Sequence, residues 1–197
     1  MRKPRILAVA GSLRRESYNK RVLNVAIEGA VKAGADVTLI DLNDYPLPLY
    51  SADLVAESGF PENATRLQQI LLEHDGLLIA SPEYNGSLPA ALKNTIDWTS
   101  RANGELKTGA CYKGKWAGIM TASPGSFGGI RCLAHLRDVL SILLVHVLPL
   151  EIAVAKVDTI FEGTQIKDEN MRYLLEMLGE TLAKTLKKHI AEEASHA

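Results

Sequence analysis

The sequence predicts an α/β fold: a doubly wound, five-stranded parallel sheet in three layers (α/β/α), formed by one domain over residues 1–197. Three observations carry that reading. Short apolar runs recur along the chain, and stretches of helical periodicity separate them. Two of the runs, RILAVA after its arginine and GLLIA, are continuously apolar, the mark of strands covered on both faces. Strands alternating with helices join side by side in parallel through crossovers.

The elements follow in order. Residues 5–10, RILAVA, form the first strand and end in Gly11-Ser12. Residues 17–33 form a helix with Val22, Leu23, Ala26, Ile27 and Ala30 on one face and Gly34 as its stop. Residues 36–42, DVTLIDL, are strand two, and the proline-bearing segment 43–61 reads as a loop. Residues 62–74 are helical, with Leu67, Ile70 and Leu71 on the apolar face, and residues 76–80, GLLIA, are strand three. Pro89 opens the next helix, at a position where its missing N–H has no partner to lose, and that helix runs to Ser100. The polar, glycine-bearing segment 101–115 is a loop, residues 116–121 are strand four, residues 127–145 are mostly helical and residues 147–155 are strand five. The last element, 168–191, is a long amphipathic helix with Met171, Leu174, Leu175, Leu178, Leu182, Leu186 and Ile190 inward. The acidic end from Glu192 to Ala197 reads as frayed.

Composition excludes several classes of function. With a formal net charge of -1 the chain lacks the basic footprint of a nucleic-acid binder. Its start imitates a signal peptide, but the apolar run 6–10 is too short for one, and Arg14 and Arg15 follow. The run 139–155 is broken by His146, Pro149 and Glu151 and falls short of the roughly 20 apolar residues of a membrane span. It reads as the end of a helix and a buried strand, so no membrane segment is expected. Cys111 and Cys132 lie far apart in no metal spacing and read as free thiols in a reducing cytoplasm. His74, His135, His146, His189 and His196 form no paired-ligand pattern, and no metal site is expected.

Sheets of this kind bind ligands beyond the carboxyl ends of their strands, where the strand order reverses. The loops after strands one, three and four are therefore the informative ones. Loop 1, AGSLRRESYNKR, joins a strand to a helix N-terminus. Ser12, Ser17 and Asn19 supply short hydrogen-bonding groups and Arg14 a fixed charge, a set that fits a phosphate monoester as well as it fits plain N-capping beside solvated arginines. Glu16 must then point away from the phosphate. Neither GxxxxGK[ST] nor GxGxxG is present, and Asp41 at the end of strand two reads as a polar strand end. Loop 2 places Glu83, Tyr84, Asn85 and Gly86 before the helix begun by Pro89. Its prolines and glycine fix the backbone, while Tyr84 offers a flat surface and Asn85 both donor and acceptor, a mix suited to a planar heterocycle or to a simple turn. Lys93, Asn94 and Asp97 read as the polar face and cap partners of the following helix. Loop 3 clusters Gly125, Gly128 and Gly129 with Ser123 and Ser126, glycines that permit close backbone approach to a flat ligand.

On these residues the sequence resembles the NADPH-dependent FMN reductase family, the flavodoxin-like group that includes quinone, chromate and azo-dye reductases. The matching stretches are GSLRRESYN at residues 11–19, SPEYNGSLPAALKNTIDWTSR at 81–101 and SPGSFGGIRCLAHLR at 123–137, with no clear departure within them. The C-terminal third matches only in general pattern. The resemblance implies a homodimer or homotetramer, each subunit holding one FMN non-covalently and taking a hydride from NADPH or NADH. By the same resemblance Ser12, Arg14, Ser17 and Asn19 hold the FMN phosphate. Pro82, Glu83, Tyr84, Asn85 and Gly86 border the isoalloxazine ring, and Ser123, Gly125 and Gly128 line its other edge. No side chain is assigned as a catalytic acid or nucleophile. One face serving donor and acceptor in turn implies ping-pong kinetics. A flavodoxin-type electron carrier and a non-catalytic nucleotide-binding sensor are the alternatives.

Self-association is expected also from residues 127–145, where Leu133, Leu136, Leu140, Ile142, Leu143 and Leu144 exceed one inward stripe. Arg101 and Arg131 stand near the loops, within reach of a neighbouring subunit's site or of the phosphate of the nicotinamide nucleotide.

Overall fold

The computed structural model describes residues 2–163 and 165–196. Five strands, β1 (Arg5–Ala10), β2 (Asp36–Ile40), β3 (Gly76–Ala80), β4 (Trp116–Ala122) and β5 (His146–Val154), form one parallel sheet in the order β2-β1-β3-β4-β5. The chain first moves outward from β1 to β2, then crosses back to β3 on the other side, so the switch point lies between β1 and β3.

Side chains of the strands alternate between two cores. Ile6, Ala8, Leu78 and Met120 pack beneath α1 (Tyr18–Lys32) and α7 (Glu169–His196). Leu7, Val9, Leu77 and Ile119 pack beneath α3 (Glu62–Leu72), α4 (Ala90–Thr99) and α5 (Ile130–Ile142). These two faces make the expected three layers. β3 is buried along its whole length, whereas the edge strand β2 is buried nowhere, with Leu39 55% exposed.

Helices α1 and α7 cross at glycines. A Cβ on Gly29 would stand 2.0 Å from the Glu176 carbonyl oxygen, and one on Gly179 would stand 1.8 Å from that of Ala26. The backbones therefore touch, and only glycine fits at either position.

Several boundaries differ from expectation. Strand two stops at Ile40, because the Asp41 side chain accepts from the Asn43 amide and starts a 3-10 turn over Leu42–Asp44. The expected loop 43–61 contains α2 (Ala52–Ser58), capped by Ser51 and closed by Gly59 at φ 78°. It buries none of its residues, so no apolar stripe announced it. α5 begins at Ile130 rather than 127, since Gly128 and Gly129 take φ values of 62° and 90°, outside the helical region. Beyond β5 a short α6 (Val157–Ile160) leads into a hairpin of β6 (Phe161–Glu162) and β7 (Gln165–Ile166). The acidic end continues α7 to His196 instead of fraying there; Ala197 lies outside the described residues.

Leu144 closes α5 with φ 61°, a left-handed conformation that costs a branched side chain about 1 kcal/mol. Its amide donates to Ser141 and that of Val145 to Leu140, the pattern of a C-terminal helix cap usually made by glycine. The side chain is 59% exposed and gains little from packing. Leu144→Gly is expected to raise stability by about 0.5–1 kcal/mol in urea unfolding, an unusual sign for a leucine-to-glycine change.

Candidate active site

The loops after β1, β3 and β4 meet at the carboxyl edge of the sheet, over the switch point. Their lengths and small residues let them close on one another. Gly11 donates its amide to Ala80 of β3 at 2.8 Å, and a Cβ there would press on Leu92 and Pro89 at 3.0 and 3.2 Å. Loop 1 therefore lies directly against the start of α4.

Loop 1 is built around two buried serines. Ser17 caps α1, its oxygen accepting from the Asn19 amide at 3.2 Å, and Ser12 accepts from the Arg14 amide at 3.3 Å. Ser12 and Ser17 are 2% and 3% exposed, yet among the described residues neither hydroxyl finds an acceptor for its own proton. The first turn of α1 holds no acidic residue and carries Lys20 and Arg21, an arrangement unfavourable to the positive end of a helix dipole unless an anion sits nearby. Glu16 turns outward to Arg21 at 3.1 Å, as a phosphate site requires. Burial, orphan donors, the Arg14 guanidinium and a helix N-terminus together fit a phosphate monoester. Asp41 pairs with Lys20, and Asn43 carries this support into loop 1 by donating to the Leu13 carbonyl at 3.0 Å. Burial pushes the Asp41 carboxyl up, but the hydrogen bond and charge of Lys20 and the bonds from Asn43 together outweigh it and hold the group below the usual carboxylate range.

Asn19 does something the sequence did not suggest. Its amide group donates to the Ala122 carbonyl and accepts from the Ala122 amide, both at 3.0 Å and buried. Asn19, expected as a phosphate ligand, lines the cleft, and its side chain clamps the start of α1 to the end of β4.

Loop 2 turns sharply. Tyr84 and Ser87 exchange backbone hydrogen bonds at 3.0 and 3.1 Å, and Asn85 and Gly86 between them have φ values of 52° and 79°. Positive φ at both central positions makes this a type I′ turn, for which Asn-Gly is the favoured pair. Tyr84 is left 47% exposed. Glu83 turns back from the cleft edge to α5, where its carboxylate accepts from the Cys132 amide at 3.2 Å.

One cleft is lined by Ser12, Arg14, Ser17 and Asn19 of loop 1, Pro82, Glu83 and Tyr84 of loop 2, and Ser123 of loop 3. Tyr18, Ala122 and Pro124 line it as well; sequence reasoning missed them because Tyr18 fell within the expected helix and the side chains of the other two carry no polar group. Asn85 and Gly86 continue loop 2 beyond this lining, and Gly125 and Gly128 continue loop 3. Gly128 serves packing instead: a Cβ there would meet the Ala155 nitrogen at 2.7 Å. Gly125 is exposed and donates to the Ser123 hydroxyl at 3.1 Å. A larger groove of about 380 Å³ runs between α1, β7 and α7, but its Arg172 is already committed to Glu28 and Glu176.

The remaining polar candidates are occupied elsewhere. Lys93 pairs with Asp97 at 2.7 Å along α4, whereas Asn94 leaves the helix face to hold the 45–51 segment through Tyr50 and Pro48. Arg101 lies over the Tyr50 ring, and Arg131 reaches Glu83 at 3.4 Å while covering Phe127. No group of metal-ligating side chains occurs among the described residues. Cys111 and Cys132 are free and 1% and 0% exposed. Burial pushes the Cys111 thiol up to about 11 and raises that of Cys132. Both should resist a disulfide reagent such as dithionitrobenzoate at neutral pH and react only on unfolding; rapid labelling of the native chain would contradict the burial.

Three comparisons with known proteins bear on the family and the fold. The model of the NADPH-dependent FMN reductase family matches residues 4–159. The NAD(P)H-dependent FMN reductase of Pseudomonas aeruginosa is 37% identical over 174 residues, 87% of this chain and 89% of that one. The quinone reductase of Escherichia coli is 37% identical over 144 residues, 72% and 71% of the two chains. Among solved structures, FerB, a flavoenzyme NAD(P)H:(acceptor) oxidoreductase from Paracoccus denitrificans, superposes with a TM-score of 0.77 at 27% identity, covering 94% of this chain and 98% of that one. The fold is thus flavodoxin-like, and the chain belongs to the NADPH-dependent FMN reductase family of oxidoreductases.

Proposed function

We propose that this chain acts as a single unit that holds one FMN non-covalently across its three loops and passes two electrons from NAD(P)H to a quinone-type acceptor. The observation that carries the cofactor placement is the pair of buried, proton-bearing hydroxyls at Ser12 and Ser17, set beside Arg14 at the positive end of α1. The names of the relatives supply the acceptor class: one is a quinone reductase and another, 39% identical over 139 residues, is the 2-hydroxy-1,4-benzoquinone reductase of a Burkholderia species.

In this reading Ser12, Ser17 and Arg14 would hold the phosphate, and Asn19 would keep loops 1 and 3 at the spacing the cofactor needs. Pro82, Tyr84 and the backbone of the turn would border the ring, with Ser123 on its far edge. Bound FMN supplies hydride acceptance and delivery, chemistry that no side chain of this chain provides. The protein's part is to orient, to exclude water from one face and to leave the other open. No side chain in the cleft is assigned a proton to move.

One open face serving donor and acceptor in turn implies a ping-pong mechanism. Initial rates at varied NADPH and benzoquinone should give parallel double-reciprocal lines; intersecting lines would contradict the shared face. Free flavin, chromate and an azo dye belong in the same assay, and a quinone should give the highest kcat/KM. The exposed apolar residues left on and beside α5, Phe127, Ile130 and Ile142, support assembly as a homodimer or homotetramer. Two buried free thiols suit a reducing cytoplasm, and no described helix is long and apolar enough to cross a membrane.

A further inference from the structure

The geometry points to Glu83 as a positioning residue: its carboxylate bolts loop 2 onto the first turn of α5 and thereby sets the ring side of the cleft. The inference rests on the FMN reading above.

Glu83 lies in a surface loop, yet its side chain is only 15% exposed. One carboxylate oxygen accepts from the Cys132 amide at 3.2 Å and the other faces the Arg131 guanidinium at 3.4 Å. Cys132 is the third residue of α5, a helix whose own N-cap, Gly129, has no side chain to offer. The Cys132 amide is shared between the Gly129 carbonyl, at 3.0 Å, and Glu83, which adds from a different loop the side-chain cap that this helix lacks. The same residue of α5 holds the two positions before Glu83: the Cys132 thiol donates to the Ser81 hydroxyl at 3.1 Å and lies 3.4 Å from the Pro82 carbonyl. On the far side of the turn, His135 bonds the Ser87 hydroxyl at 2.9 Å.

Cys132 and His135 are one helical turn apart, so they share a face of α5. The Tyr84–Ser87 turn is thus suspended between two anchor points on one rigid element. Gly129 allows the close approach, since a Cβ there would stand 3.3 Å from the Glu83 Cβ and 2.4 Å from the Thr121 hydroxyl. A loop set this way presents its backbone to a flat ligand without having to be ordered on binding.

The two ends of the cofactor separate this role from a general one. Loop 1 would act on the phosphate and loop 2 on the ring, and riboflavin carries the ring and its ribityl chain but no phosphate. Dissociation constants for FMN and for riboflavin would be measured by flavin fluorescence on the apoprotein of the wild type, Glu83→Ala, Glu83→Gln and Ser12→Ala. Glu83→Ala should weaken FMN and riboflavin by the same factor, about tenfold, the worth of one charge-assisted hydrogen bond. Its bound flavin should show an altered visible circular dichroism spectrum. Glu83→Gln keeps an acceptor for the Cys132 amide and should restore binding to within about threefold. Ser12→Ala should weaken FMN alone. If Glu83→Ala does not fold, His135→Ala removes the other anchor and should weaken both flavins equally. Unchanged riboflavin binding in both Glu83→Ala and His135→Ala, or in His135→Ala alone if the former does not fold, overturns the role. A loss in Glu83→Ala confined to FMN overturns it too. A wild type that binds neither flavin overturns the FMN reading, and this role with it.

Discussion

Replacing Gly179 with alanine is expected to destabilise the protein by about 2–3 kcal/mol, although alanine is the better helix former by about 1 kcal/mol. The reversal comes from the helix crossing. The added Cβ would stand 1.8 Å from the Ala26 carbonyl oxygen and 2.8 Å from the Ala30 nitrogen, and neither is a side chain that can rotate away. α7 would have to move off α1, loosening Leu175, Leu178 and Leu182 from Val22, Ala26 and Ala30, all of which are buried. Gly29→Ala should behave alike, because its Cβ would meet the Glu176 carbonyl at 2.0 Å from the other side. Urea midpoints measure this. A Gly179→Ala protein as stable as the parent would mean that the two backbones do not touch.

The second large effect is expected at Asn19. Asn19→Ala removes both hydrogen bonds to Ala122 and leaves a buried N–H and a buried C=O unpaired. Each unpaired group costs about 1–3 kcal/mol, so a loss near 3 kcal/mol is expected in thermal unfolding. The same change releases loop 1 from loop 3, and FMN affinity should fall at least about tenfold for that reason. Asn19→Asp keeps the shape but sets a carboxylate against the Ala122 carbonyl and beside the phosphate position, so it should bind FMN no better than the alanine protein. Normal FMN affinity in both variants would show that the clamp is dispensable to the site.

How much of this was legible in the sequence depended on the range of the interactions. The five strands could be read because apolar runs such as GLLIA report burial locally, and the helices because their stripes repeat every turn. That Ser12, Arg14 and Ser17 would stand at the carboxyl edge of the sheet, where they line the cleft, could be read because a strand-to-helix loop has a known polarity. What escaped were pairings between residues distant along the chain. Asn19 and Ala122 are 103 positions apart and Glu83 and Cys132 are 49 apart, and nothing near either residue announces its partner. Gly128 looked like room for a ligand and proved to be room for β5.

The motif at residues 81–101 is long for a related reason: beyond the turn, Asn94 and Trp98 both donate to the Pro48 carbonyl, at 2.9 and 2.7 Å. Tyr50 and Phe60 meet the Trp98 ring edge-on, so the stretch also anchors the 45–60 segment. α2 went unseen because it buries nothing, although Ser51 and Gly59 bracket it as cap and stop.

The most direct test of the central claim is the visible spectrum of the purified, FMN-reconstituted protein before and after NADPH is added without oxygen. Flavin bands that bleach on addition and return when benzoquinone follows are the predicted result. A protein that takes up no FMN, or one whose bands persist under NADPH, would contradict an FMN site formed by loops 1, 2 and 3 and open to a hydride donor.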